Sequence, residues 1–352
     1  MVRPNDEIVK KLPLAIELVR KTDLVELRKQ FKTPPLDVVG QLIRSVFVAK
    51  PGHKFVICDL SAIENRGLGY VAEDETILEV FRKKLDPYLN FASKMYQVPY
   101  DSIVVVNEKG EHKAKDGAAK EKRQNAKPAV LGCGYMLSGG EEIITDEGDK
   151  IFTGLMGYGR AMGVPLSKEL ADLSVQTFRD THLGVVRCWR RLEDSAMLCI
   201  RTGRPQEVGP IRFEMTKSVL RMVLPSGRSL HYLEPKIVER EWFGGKKKTI
   251  ECWGIDQKKH IWTRIYTYGG KLIENAVQAI SRDILVEGMF NATEMGFSIV
   301  MHCHDEIVAE VPEASSLGIS DLKECMIRPP RWGNHQLLID AAGFESKVYK
   351  KE

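Results

Sequence analysis

The sequence predicts an α+β fold whose antiparallel sheet is assembled from distant segments. Two observations carry this. Apolar strand-like runs at 54–58 and 297–311 lie far apart, and each delivers acidic residues at an end or turn. Between and around them, helix-period stretches alternate with β-like ones, in the order helices, strands, helices, strands. The 352 residues suffice for a large core and about two subdomains.

Composition excludes several classes. Hydrophobic content of 43% and charged content of 28% are ordinary for a globular chain. No apolar run reaches the ~18 residues of a membrane span. The start, MVRPNDEIVKKLP, has no apolar core of the secretory type. Seven cysteines, scattered from Cys58 to Cys325 without a CxxC pair, predict reduced thiols and a cytoplasmic protein. Net charge of +4 and a pI near 8.5 permit a polyanionic partner.

The elements follow in order. Residues 5–32 read as one or two short amphipathic helices, stopped by Thr33-Pro34-Pro35. Residues 46–58 read as two strand pieces joined at Pro51-Gly52. Residues 61–71 and 74–98 are helical, the second with a break at Pro87. A charged loop over 107–123 leads into a helix and then a Gly-rich segment, LGCGYMLSGG. Residues 166–201 form a pair of amphipathic helices. From 211 to 268 the pattern is β-like, with a hairpin at Gly244-Gly245-Lys246. One long helix spans 269–295, a hairpin follows, and a short helical tail closes the chain.

MHCHDEIVAEVP, residues 301–312, sets Asp305 and Glu306 inside an apolar hairpin. Carboxylates there are costly unless compensated, so they are either solvated at the turn or hold a metal. A second acid, Asp59, ends the run in KFVICDLSAIENR, residues 54–66. Alone it reads as a helix cap, with Ser61 and Glu64 as a capping box. Two strands each delivering an aspartate suit phosphoryl transfer, in which carboxylates bridge two metal ions about 3.5–4 Å apart. In KRQNAKPAVLGCGYM, Arg123, Lys127, Leu131 and Tyr135 recur every fourth residue and make a slowly drifting helical stripe. Such a stripe suits a nucleoside triphosphate, the cations on its phosphates. A helix with solvated charges has the same spacing. His302 and His304 alternate as a His-x-His pair, whose plainer reading is structural.

Together these blocks resemble the family A DNA polymerases, the DNA polymerase I family. DLSAIENR resembles motif A, usually DYSQIELR. The Arg-xxx-Lys-xxx-Leu-xxx-Tyr stripe resembles motif B, and HDE resembles motif C, in the family's order. RSVFVAKPG (44–52), LDPYLNFASKMYQVP (85–99), LPSGRSLHY (224–232) and ENAVQAISRDIL (274–285) agree, in wording nearest the bacteriophage branch. The resemblance runs from about residue 34 to the end.

It implies a right-hand polymerase fold, with an antiparallel palm sheet and a helical fingers subdomain. It implies two Mg²⁺ ions, with Mn²⁺ as a substitute, held by Asp59, Asp305 and the Leu60 carbonyl. Glu306 would be an auxiliary acid, and His304 would touch the primer terminus. Arg123 and Lys127 would bind the incoming phosphates, and Lys127 could protonate the leaving pyrophosphate. Leu131, Tyr135 and Tyr88 would meet the nucleotide. Glu64 would act as a steric gate against a 2′-hydroxyl. Arg66, Arg228, Gln278 and Arg282 are candidate contacts to template–primer DNA, or plain surface residues. The partners implied are that DNA and deoxynucleoside triphosphates.

The expected domains are a docking segment (1–33), palm (34–75), fingers (76–221) and the rest of the palm (222–352). Leu131 stands where many members have Phe or Tyr, and Met136 replaces a common glycine. Pro128 predicts either a helix starting near it or a bend there. Only 58 residues precede Asp59, too few for a full thumb, and no upstream acids suit an exonuclease. The expectation is a split polymerase whose companion chain carries thumb and 3′–5′ exonuclease, acting in a host cytoplasm if phage-encoded. A chain trimmed from a longer one is the alternative. The competing functions are a metal-dependent nuclease, which needs no motif B stripe, and an inactive DNA-binding scaffold.

Overall fold

A computed structural model of the chain describes residues 6–108, 110–242, 245–256 and 259–350. It is mixed α and β with antiparallel sheets, as expected. Two compact units partition it. The first holds 1–61, 284–328 and 340–352, and the second holds 62–283 and 329–339. Among the described residues no helix is long and apolar enough to cross a membrane.

The first unit opens with helices Asp6–Lys10, Leu12–Arg20 and Leu24–Gln30, three where one or two were predicted. Pro13 lacks an N–H and suits a first helical turn, so a new helix begins beside it. Asp23 caps the third by accepting from Glu26 N–H at 2.9 Å. Pro35 starts a fourth helix, Pro35–Leu42, besides ending the third. These helices bury Ile8, Leu18, Leu27, Phe31 and Val38 against one another.

A four-stranded sheet forms the rest of this unit. Its order is Ser298–Cys303, Glu306–Pro312, His53–Leu60, Ala341–Ser346. His53–Leu60 is central, and Phe55 to Cys58 are all buried, as a strand covered on both faces requires. The first predicted piece of 46–58 contributes only a bridge, Val48 to Val348. The helical tail, Ile319–Ile327, is followed by the strand Ala341–Ser346, which was not predicted. AAGFES lacks the alternation that marks a strand. A Cβ at Gly343 would lie 2.2 Å from the Ile57 carbonyl oxygen, so the close pairing needs glycine.

The second unit is mainly helical through Leu183–Thr202, with two short hairpins (Val104–Val106 with His112–Ala114, in the predicted charged loop, and Glu142–Ile144 with Lys150–Phe152), then a six-stranded antiparallel meander. The meander runs from Gln206–Val208 to Ile261–Thr267 and includes the long hairpin Ser229–Trp242 and Gly245–Asp256. Trp242 pairs with Gly245; Gly244 of the predicted turn lies outside the described residues. Residues 62–75 and 222–283, grouped with the palm by sequence, lie in this unit. The sheet packs on helix Leu183–Thr202, which draws those strands to it. Gly269–Met295 is one helix, as predicted, passing from the second unit into the first at Ile284.

Helix Gly117–Gly132 does not start near Pro128, which lies inside it, so of the two expectations there the start is corrected. Proline there leaves the Gln124 carbonyl without its helical donor. The regular helix stops at Gly132 and tightens into a 3₁₀ turn, Cys133–Tyr135, before Met136 turns left-handed at φ 65°.

Candidate active site

The motif A strand and the motif C hairpin are sheet neighbours. His53–Leu60 runs antiparallel to Glu306–Pro312, with Asp59 opposite Glu306. Opposed residues share a face, so these two carboxylates lie on the same side of the sheet. The Leu60 N–H donates to the Asp305 carbonyl at 3.0 Å, which brings the hairpin turn against the end of the motif A strand. His304 occupies that turn with φ 56°, exposed, a conformation histidine tolerates better than most residues. His302 is exposed on the edge strand. Burial pushes the Cys58 thiol up to about 12, aided by the carboxylates of Asp59, Asp340 and Glu306 and offset by Lys323. The thiol is inert, and its surroundings are acidic.

Glu306 is not a solvated acid at a turn. It is 3% exposed. The Tyr349 hydroxyl donates to its Oε1 at 2.5 Å, and Arg44 Nη1 stands 4.0 Å from the same oxygen. Arg44 Nη1 also donates to the Tyr349 hydroxyl at 2.6 Å. Burial, then Glu306 itself, raises the Tyr349 phenol above its ordinary range. Arg44 and Tyr349 were not singled out by sequence. Arg44 lies in the RSVFVAKPG block, and Tyr349 sits in a charged tail with no periodicity.

In the second unit, Tyr88 joins the two cations of motif B. The Arg123 guanidinium lies 4.8 Å from the Tyr88 ring centre and Lys127 Nζ lies 5.9 Å from it. Asp86, which sequence reading passed over, takes Arg123: Nε donates to Oδ2 at 3.0 Å and Nη2 stands at 2.9 Å. Its other oxygen accepts from the Leu89 N–H at 2.8 Å and caps helix Pro87–Met95. The Asp-Pro start of a helix was the available signal.

Burial raises the Tyr135 phenol well above its usual value, with Glu64, Glu274 and Tyr158 adding to it. Burial raises Tyr88 too, with Glu64 and Tyr158 among its neighbours. Glu64, Tyr88, Tyr135 and Tyr158 thus share one neighbourhood; Tyr158 and Glu274 are additions to the sequence set. Leu131 is half-buried on the same helix.

Among the candidate DNA contacts, Arg66 and Arg228 are tied to named neighbours. Arg66 Nη1 donates to the Leu338 carbonyl at 3.2 Å and its guanidinium lies 4.2 Å from the Phe81 ring centre. Arg228 pairs with Asp283 at 2.7 Å and donates to the Ala279 carbonyl at 2.7 Å. Gln278 and Arg282 are exposed on the long helix.

Among the described residues, no three His, Cys, Asp or Glu side chains gather as a closed metal cage. Magnesium needs none: it binds one or two carboxylates and keeps waters and substrate phosphates. Asp59, Asp305 and the Leu60 carbonyl, hard oxygen donors on adjoining segments, fit that demand.

Comparison with known proteins finds relatives among DNA polymerases. The chain is 34% identical over 316 residues to a DNA polymerase of Bacillus phage SP02, covering 90% of this chain and 44% of that protein. It is 35% identical over 99 residues to DNA polymerase I of Chloroflexus aurantiacus, covering 28% of this chain and 9% of that protein. The chain therefore spans less than half the length of these curated relatives. No family model matches. Among solved structures, it resembles the POL domain of Pol1 from M. smegmatis, in complex with DNA primer-template and dNTP. That match has a TM-score of 0.53 and 18% identity, over 88% of this chain and 42% of that chain. Motifs, fold and sequence similarity together make this chain a homologue of the family A DNA polymerases.

Proposed function

We propose that this chain carries the nucleotide-adding chemistry of a template-directed DNA polymerase of the phage type. The observation that carries this is the adjoining of Asp59 and Asp305, with the Leu60 N–H on the Asp305 carbonyl at 3.0 Å. Asp59, Asp305 and the Leu60 carbonyl would hold two Mg²⁺ ions, or Mn²⁺, whose chemistry is to acidify the primer 3′-hydroxyl and neutralise the departing pyrophosphate.

The chain's own groups do the rest. Lys127 binds the triphosphate and supplies a proton to the leaving group. Arg123 exchanges Asp86 for phosphate oxygens, a bidentate match for its guanidinium. Tyr88 and Tyr135 pack against the nucleotide, Leu131 lies beside them, and Glu64 leaves no room for a 2′-hydroxyl. Glu306, the auxiliary acid, is held by Tyr349 at the start of its strand and so fixes the turn that carries Asp305. His304 meets the primer end, and Arg66, Arg228, Gln278 and Arg282 contact template–primer DNA, the last two from the exposed face of the long helix. Base pairing selects the nucleotide. A thumb and a 3′–5′ exonuclease would come from a companion or from further chain, since the phage relative extends well beyond the matched region. Palm and fingers are the assignments proposed for the acid-bearing sheet and the helix of Arg123. The working place would be the cytoplasm.

The test is primer extension with Mg²⁺ and four deoxynucleotides, wild type against Asp305→Asn. Extension that disappears in the variant supports the reading. If neither extends, alone or with a thumb-bearing companion, the scaffold alternative replaces it.

A further inference from the structure

Within the second unit, helix Leu183–Thr202 and the strands Ser229–Trp242 and Gly245–Asp256 wall a cleft of about 1660 Å³. Its lining is rich in cations: Arg179, Arg190, Arg201, Lys246, Lys247 and Lys248. Three acids line it too, Glu193, Asp194 and Glu239. Lys247 is neutralised by the buried Glu193 at 3.0 Å. Among the described residues the other five cations make no ion pair, although Glu239 stands opposite Lys248 in the ladder. Arg190 and Arg201 are exposed on one helix, 11 residues apart, or roughly 16 Å along its axis. Unpaired cations spread over that length match a chain of phosphates better than a single anion.

The floor is apolar, with Val186, Met197, Val238 and Tyr268. The same sheet continues the surface. Arg240 stands opposite Lys247, hence on its face, and its guanidinium lies 3.7 Å from the Tyr266 ring centre. Tyr266 is 40% exposed and Trp262, on the same face of its strand, is 58% exposed. Aromatic faces beside arginines are what unstacked bases require, and a duplex hides its base faces. Glu234 and Glu251 pair with Arg264 and leave it less available for phosphate.

We propose that this cleft and the adjoining Tyr266–Trp262 face bind a single strand of nucleic acid, phosphates on Arg190, Arg201 and Arg240 and bases on the aromatics. On the polymerase reading, on which the strand's identity rests, this is unpaired template.

The experiment is fluorescence anisotropy of a labelled oligothymidylate with the purified chain across a salt series. Arg190→Gln/Arg201→Gln/Arg240→Gln is expected to weaken binding about tenfold or more and to reduce the slope of log K against log salt by about 2. Tyr266→Ala is expected to weaken it about fivefold or more with the slope unchanged, because stacking releases no counterions. All four side chains lie at the surface, and an unaltered melting curve confirms the fold. Wild-type affinity and slope in both variants would overturn the proposal, as would equal competition by polyglutamate, which has charge but no bases. The readout needs no catalysis. If wild type extends no primer, alone or with a thumb-bearing companion, yet the variants lose binding, the polymerase reading fails and the cleft stands. If wild type extends primers and the variants bind as well as it does, the cleft alone fails.

Discussion

Glu306 and Tyr349, 43 residues apart, meet in the first unit with the phenol donating to the carboxylate at 2.5 Å. One of the two motif C acids is thereby anchored inside the fold, with Arg44 beside it. Tyr349→Phe keeps the ring and removes the donor. It is expected to cost about 1–3 kcal/mol, because a buried carboxylate loses a hydrogen bond it cannot replace with water. Urea denaturation of the two proteins measures this, and an unchanged midpoint would show the bond to be dispensable.

Asp86 competes for the cation that the proposed reaction needs. Asp86→Asn retains a capping oxygen for the Leu89 N–H and removes the charge facing Arg123. Arg123 becomes freer, and KM for the nucleotide is expected to fall about fivefold, the equivalent of a ~1 kcal/mol pair. A rise in KM at unchanged kcat would instead make Asp86 the residue that aims Arg123.

Gly270 explains the glycine pair that opens the long helix. A Cβ there would lie 2.5 Å from the Tyr135 carbonyl oxygen, and its N–H stands 3.1 Å from Met136 Sδ. Gly270→Ala must displace the end of motif B. The expected cost is about 1–3 kcal/mol, with nucleotide KM raised more than the affinity for primed DNA. Steady-state kinetics beside a DNA-binding titration separate the two.

Acid stability has a definite sign at Asp74. Burial would raise its pKa, but hydrogen bonds from His182, Thr76 and the Ile77 N–H bring it down to about 2. It also accepts from the Val185 N–H at 3.2 Å, so one carboxylate caps two helices. A depressed folded pKa contributes stability that is present above the unfolded value, near 3.8, and lost as pH falls towards 2. The contribution is about 2 kcal/mol. Asp74→Asn should cost about that at pH 6 and distinctly less at pH 3. A pH-independent difference would contradict it.

Much of the fold was legible because local pattern encodes it. The long helix over 269–295, the helix pair of 166–201 and the hairpin around Asp305 arise from periodicity, proline placement and turn residues, which act within a few positions. The same locality brought Asp59, Asp305, Arg123 and Lys127 to notice, since each stands inside a short, patterned block.

By itself, then, the sequence determined the strongly patterned helices and strands and which side chains can carry phosphoryl chemistry. Tertiary structure alone decided their partners. Arg44 and Tyr349 are 305 residues apart, and Asp86 and Arg123 are 37 apart. Neither pairing leaves a mark in local periodicity. The strand Ala341–Ser346 likewise shows itself only against the backbone of Ile57, where a glycine permits the approach. Burial is the physical reason. A carboxylate or guanidinium removed from water must be satisfied by whatever the fold brings within about 3 Å, and chain separation sets no limit on that choice.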